Sequence, residues 1–486
     1  MRAQSLFLLV AATALLLTAC LKSAPPPELQ PARADAGVTE AELLAPKLAA
    51  LEAEALAVVK ALDEALWQHW TAGAPLELAA VTKGHDALFS KDTLALLRRA
   101  RALRPQDARR IDDLSRWVAG ELLARGVAAE SEALANLEAA ATFTVDGKEL
   151  AFRDLSKTLL SEKSAVKRRA LWNASHATAL RLDAAISRRD EKLKEVLASL
   201  ELPAPLDFAA QSRELDLDAL AKDAEDVLTS TDAEWKATLQ ALSDAEVKLP
   251  LTALTRGDLP RVLKVPAAVD AEFPKTKIAA RVVQTLGTLG VYGQPGLTLD
   301  LAEAAKKNPL PLTVAPAPND VRVSVRPLGG LRDQQAVLSE LGAALELKRL
   351  PRLANPALAL RTSELFATLL TEDKWLAAQE IASRDAVIRA AKAQRLFALR
   401  RAAGVVLAKL ETQVLADEAE ARAKYVAVMS RALGLTLPPE EGARWRLETD
   451  DFLRSATQLQ AMRRAEQWRA QLGEEWWLHP LPARPE

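Results

Sequence analysis

The chain reads as a mainly α-helical protein, and three observations carry that reading. Alanine, leucine, glutamate, lysine and arginine, which favour helices, dominate a sequence of 486 residues with only 18 glycines. From Glu40 onward, apolar residues recur at helical spacing almost without interruption. The interruption is local: prolines and glycines concentrate in residues 249–331, where a short stretch alternates polar and apolar side chains. With 49% apolar and 27% charged residues, the chain can bury a large core. Lys+Arg 64 against Asp+Glu 65 leaves a net charge of -1, so there is no electrostatic footprint for nucleic acid and no polybasic membrane patch.

Met1-Arg2 supplies a short positive region, residues 6–17 form an apolar run, and Leu17-Thr18-Ala19-Cys20 closes it. Twelve apolar-region residues are too few to span a bilayer as a helix. Residues 1–19 resemble a bacterial lipoprotein signal peptide, in which the cysteine after small residues is lipidated and becomes the new N-terminus. Cys20 is the only cysteine of the chain and stands where that chemistry requires it. The resemblance implies a membrane partner through a lipid on Cys20. Because Leu21 rather than an aspartate follows, it also implies outer-membrane retention facing the periplasm. Without a second cysteine the fold stands on packing alone. Residues 20–38, with Pro25, Pro26, Pro27 and Pro31 and no apolar period, read as a semi-rigid Pro/Ala-rich tether ahead of one helical domain over 39–486.

Leu43, Leu44, Leu48, Leu51, Leu56, Val59, Leu62 and Leu66 predict one long amphipathic helix, and residues 107–141 predict more. Alternation on either side of Asp146-Gly147 predicts a β-hairpin over 143–150, with Asp-Gly supplying the left-handed turn. Long helices are expected over 164–200, 216–249 and 385–433, with no repeat of fixed period. Residues 320–326 alternate like a short edge strand, and Pro327-Leu328-Gly329-Gly330 turns into a helix beginning near Asp333.

That helix carries the segment Leu338-Ser339-Glu340-Leu341-Gly342-Ala343-Ala344-Leu345-Glu346. It resembles a His-Glu-x-x-His zinc-peptidase helix, in which two imidazoles one turn apart hold zinc and the glutamate activates the metal-bound water. Other pieces follow in matching order. Arg168-Arg169-Ala170-Leu171-Trp172-Asn173-Ala174-Ser175 is similar to an Arg-x-x-x-Trp-x-Ala-Ser helix, and Arg352-Leu353-Ala354-Asn355-Pro356 to an Arg-x-Ala-Asn-Pro segment. Residues 396–401 and 472–477 look like closing helices. Together they resemble the helical zinc peptidases of the oligoendopeptidase, thimet-oligopeptidase and angiotensin-converting-enzyme group. The resemblance implies a zincin-like body of two helical halves around a deep channel, with a small β element next to the active-site helix.

The departures bear on activity. By resemblance the first two metal ligands fall on Ser339 and Ala343 and the third on Leu360, with Glu364 at an acidic supporting position and Glu340 as the vestigial general base. Alanine and leucine cannot coordinate a metal, and a serine hydroxyl is a poor zinc ligand, so zinc is expected to be absent and no other cofactor is implied. The four histidines, His69, His85, His176 and His479, are too scattered for two to share a helical turn. Asp333, Glu340, Glu346 and Glu364 could hold a hard cation, but such frequent acids read first as a solvated helix face. The family's late tyrosine or histidine for the oxyanion is missing from 450–455, and the chain has only Tyr292 and Tyr425. There is no Gly-x-Ser-x-Gly elbow and no phosphate-cradling glycine loop with a lysine.

These residues predict a catalytically inactive, peptidase-like envelope lipoprotein that binds a peptide or a partner protein in its channel. Two alternatives stand beside it: a metallopeptidase using Glu340 with a non-standard site, and a structural lipoprotein whose cleft is filled by side chains.

Overall fold

The computed structural model describes residues 39–482. Cys20, the signal segment and the whole tether lie outside them. The described chain is mainly helical, as the composition predicts, and its helices gather around three large apolar cores.

The first core belongs to the N-terminal helices. Glu40–Ala72 opens with a capping box, in which Thr39 and Glu42 satisfy each other's backbone groups, and runs the full length expected of it. Its Leu44, Leu48, Ala55 and Val58 pack with Leu94 and Leu97 of Lys91–Leu103 and with Leu114, Trp117 and Val118 of Ala108–Gly126. The second core joins Leu217–Ser230, Arg384–Thr412 and Glu418–Leu433, with Trp235 and Tyr425 wholly buried. The third surrounds Leu331–Leu347, Ala359–Ala367 and a three-stranded sheet.

Three of the long helices expected from periodicity are broken. The 164–200 stretch divides into Ala165–Ala174 and His176–Ser199 at Ser175, whose hydroxyl donates to the Trp172 carbonyl and competes with the helical ladder. Thr231 divides 216–249 in the same way, donating to Val227 O at 2.6 Å while it accepts from Arg400. Between Arg384–Thr412 and Glu418–Leu433 the chain turns over residues 413–417, and Asp417 caps the new helix through the Ala419 N–H. Apolar spacing continues across such breaks because both pieces face the same core.

The hairpin forms as expected. Strands β1 (Thr142–Val145) and β2 (Lys148–Ala151) pair antiparallel with Val145 opposite Lys148, and Asp146 and Gly147 both take positive φ, at 49° and 71°. The second sheet corrects the sequence reading. Residues 320–326 supply β5 (Asp320–Ser324), which is the central strand and not an edge: β3 (Leu297–Asp300) lies parallel on one side and β4 (Leu312–Ala317) antiparallel on the other. Alternation reports one buried face; it does not count neighbours. The edge strand next to the third core's helix is β4, which tolerates Pro316 at a shift in register between Val314 and Ala317. Among the described residues no helix is long and apolar enough to cross a membrane.

Candidate functional site

The suspect helix starts at Leu331, two residues before the expected point, because Gly329 and Gly330 both adopt φ 91° in the preceding turn. Asp333 fixes that turn by accepting from the Leu328 and Gly329 N–H groups at 2.8 and 2.9 Å, and Asp270 accepts from Leu331 N. Asp333 is thus committed to backbone and is not a free cation ligand.

Two faces follow from the 3.6-residue period. Leu331, Gln334, Val337, Leu338, Leu341, Ala344 and Leu345 are buried, whereas Ser339, Glu340 and Ala343 form a half-buried stripe. Gly342 sits where the helix meets Ala359–Ala367: a Cβ there would lie 2.4 Å from the Thr362 carbonyl oxygen. The absent side chain lets the two helices approach closely. Glu346, expected on a solvated face, is 3% exposed and accepts from the Thr362 hydroxyl at 3.0 Å. The charge is drawn inward because the helix crossing brings that hydroxyl to it.

Glu340 faces β4. The Thr313 hydroxyl donates to the Glu340 carbonyl oxygen at 3.2 Å. Withdrawal of the carboxyl from water pushes its titration above the usual carboxylate range, and hydrogen bonds from Thr313 only partly oppose this. No basic side chain offsets the desolvation.

Asn355 accepts from Ala357 N at 3.0 Å and starts the turn that leads into Ala359–Ala367. On that helix Leu360 is half-buried, and Glu364, one turn on, is clasped by two other helices. Arg395 of Arg384–Thr412 donates to it at 2.8 Å, and Gln458 of Arg454–Leu472 donates to its other oxygen. Ser339, Glu340 and Ala343 therefore share one stripe, while Glu364 is engaged in helix packing.

The donor set does not fit zinc. A hydroxyl, a methyl and an isobutyl group stand at the three positions that the resemblance assigns to ligands, and Glu364 is held by a guanidinium and an amide. Among the described residues no group of three or more His, Cys, Asp or Glu side chains could hold a metal ion. The histidines are spent elsewhere. His69 binds the Ala74 carbonyl at 2.7 Å, His85 meets Glu54 at 2.7 Å, His176 packs edge-on against Trp172, and His479 is exposed. Tyr425 is buried against Arg256 and Glu448, away from this stripe, and Asp451 caps Arg454–Leu472 through Ser455 N. Trp476 and Trp477 pack in the core as a T-shaped pair.

Several residues that build the site were not singled out from sequence. Asp63 accepts from the Ala315 N–H of β4 at 3.1 Å and from Arg352 at 2.6 Å. Thr313, Arg395 and Gln458 likewise act across large sequence separations. Only Arg352 carried a signal, through its place in the Arg-x-Ala-Asn-Pro segment.

No family model matches the chain. No curated protein matches it either. Among solved structures, the chain is similar to the crystal structure of a "putative peptidase from Chlamydophila abortus", with a TM-score of 0.61 and 11% identity, over 87% of this chain and 80% of that chain. At that identity the likeness is one of fold. The chain shares a mainly helical fold with that structure over most of its length.

Proposed function

We propose that the chain is a lipid-anchored protein of the bacterial cell envelope whose peptidase-like body no longer hydrolyses peptides and instead holds an extended peptide or a partner protein along its cleft. One observation carries the choice between binding and mere scaffolding. Ala343 and Leu360 are half-buried, although their neighbours Leu338, Leu341 and Ala359 are 0, 1 and 4% exposed. A cleft filled by its own side chains would bury Ala343 and Leu360 as it buries those three neighbours. The ligand positions themselves carry no donor set for zinc, and Glu340 alone cannot lower the pKa of a water molecule.

The test pairs metal content with peptide chemistry. Protein purified without the signal segment is expected to hold no stoichiometric zinc by elemental analysis and to bind unstructured peptides without cutting them. Tightly held zinc together with cleavage that disappears in Glu340→Gln would overturn the reading. For the anchor, Cys20→Ala is expected to leave the exported protein in the soluble fraction; continued partition with membranes would remove the lipid from the proposal.

A further inference from the structure

The far end of the Leu331–Leu347 helix borders a space that the third core does not fill. A half-open cavity of about 240 Å³ lies there, walled by Leu289, Val291, Leu345 and Leu481. Leu289, Leu345 and Leu481 belong to the third core and Val291 packs against it, so the core itself ends on this opening. Leu345 is two residues beyond Ala343, about 200° around the helix, which puts the cavity on the opposite side from the stripe of Ser339, Glu340 and Ala343. The two places are separate.

The rim of the cavity is basic. Besides the four apolar walls, the lining consists of Gln294, Lys348 and Arg349, with no carboxylate among them. Arg349 donates to the Leu481 and Pro482 carbonyls at 3.1 and 3.3 Å and so shapes the rim. Lys348 is less occupied: its ammonium donates to the Gln294 side-chain oxygen at 3.4 Å and forms no ion pair among the described residues. It follows the last turn of its helix, where a cation offsets the negative end of the dipole. That role asks for no apolar space beside the charge. An apolar cavity with an unpaired cation and no anion at its mouth is complementary to an amphiphile with an apolar tail and a negative head. Size narrows the tail. An apolar cavity of about 150 Å³ takes a benzene-sized molecule, so this one has room for a single short alkyl chain and not for a lipid with two.

We propose that this cavity binds a medium-chain fatty acid, with its alkyl chain against Leu289, Val291, Leu345 and Leu481 and its carboxylate on Lys348. The site does not depend on the peptide-binding reading of the cleft.

Titration calorimetry on the full-length chain compares three probes of equal chain length: octanoate, octan-1-ol and octylammonium. Octanoate is expected to bind roughly tenfold more tightly than octylammonium, with octan-1-ol between them. Lys348→Met keeps the apolar stem and removes the charge; it is expected to weaken octanoate roughly three- to tenfold and to leave octan-1-ol unchanged. Val291→Phe fills the cavity from a half-buried position and is expected to abolish binding of octanoate and octan-1-ol, with an unchanged far-UV circular dichroism spectrum as the check on folding. Absence of octanoate binding, equal binding of octanoate and octylammonium, or octanoate affinity untouched in either variant overturns the proposal. So does tighter binding of a short two-chain phosphatidylglycerol than of octanoate, which would make the occupant a membrane lipid. Octanoate binding that arises only once residues 483–486 are removed would assign the cavity to the chain's own end and overturn it as well.

Discussion

Glu121 shows what a single side chain costs when burial outruns pairing. It lies on Ala108–Gly126, is 6% exposed, and leaves Oε1 without a hydrogen-bond partner. Desolvation, only partly opposed by Arg125, pushes its carboxyl up to about 7 from 4.5. The folded state thus holds a proton that the unfolded state releases, so its stability is greatest below about pH 4.5 and falls as pH rises towards 7. Glu121→Gln is expected to flatten that limb of the stability–pH curve and to add up to about 3 kcal/mol at pH 8 in denaturant titrations. An unchanged slope would show that Glu121 is charged in the fold. Gly342 poses the opposite problem, contact without room. Gly342→Ala would force Thr362 O away from a 2.4 Å clash and is expected to cost about 1–3 kcal/mol in thermal unfolding. At this scale the sequence was informative about side-chain chemistry: serine, alanine and leucine stand at the positions to which the resemblance assigns metal ligands. It misplaced Glu346, read as part of a solvated face but 3% exposed and accepting from Thr362, a residue 16 positions away.

Among the elements, the Ala165–Ala174 helix illustrates how a motif can serve packing. Arg168 is fully buried, donates to Asp258 at 2.7 Å and covers the Glu162 and Lys163 carbonyls. Trp172 lies against Gly257, where a Cβ would come within 2.9 Å of its own, and its indole donates to Glu441. The Arg-x-x-x-Trp spacing therefore locks this helix onto the turn Arg256–Asp258. Arg168→Ala is expected to destabilise by about 3–5 kcal/mol by leaving the Asp258 carboxylate buried and unpaired, measured as a lower denaturant midpoint with unchanged slope. Secondary structure was legible where local chemistry decides it, as in the Asp146-Gly147 hairpin. It was not legible at Ser175 and Thr231, where polar side chains break a continuous apolar pattern. Strands β3 and β4 also escaped, because each is short and takes its identity from pairing with β5.

Over the whole molecule, long-range polar ties hold distant segments together. Arg256 reaches Tyr425, Glu441 and Glu448, which come from Glu418–Leu433 and the turns after it. Burial pushes the Glu448 carboxyl up, but Arg256 and Arg401 more than reverse this and hold it at about 2. A carboxylate depressed in the fold adds stability that is complete above its unfolded value and is lost as pH falls towards 2. Arg256→Ala is expected to lower stability by about 3–5 kcal/mol at neutral pH and to shorten the acid-stable range. A variant as acid-stable as the parent would show that Glu448 is held by other groups.

Sequence by itself determined that this chain is mainly helical and that it contains a hairpin at Asp146-Gly147. Those properties depend on residue identity and short-range geometry, which the order of residues states directly. Tertiary structure alone decided that β5 is central with β3 and β4 at the edges, that Glu346 and Glu121 are buried, and that Asp63 and Trp70 bond to β4 and its lead-in from a helix more than 230 residues earlier. Such features depend on which distant surfaces meet, and an apolar period records that a face is buried without recording against what.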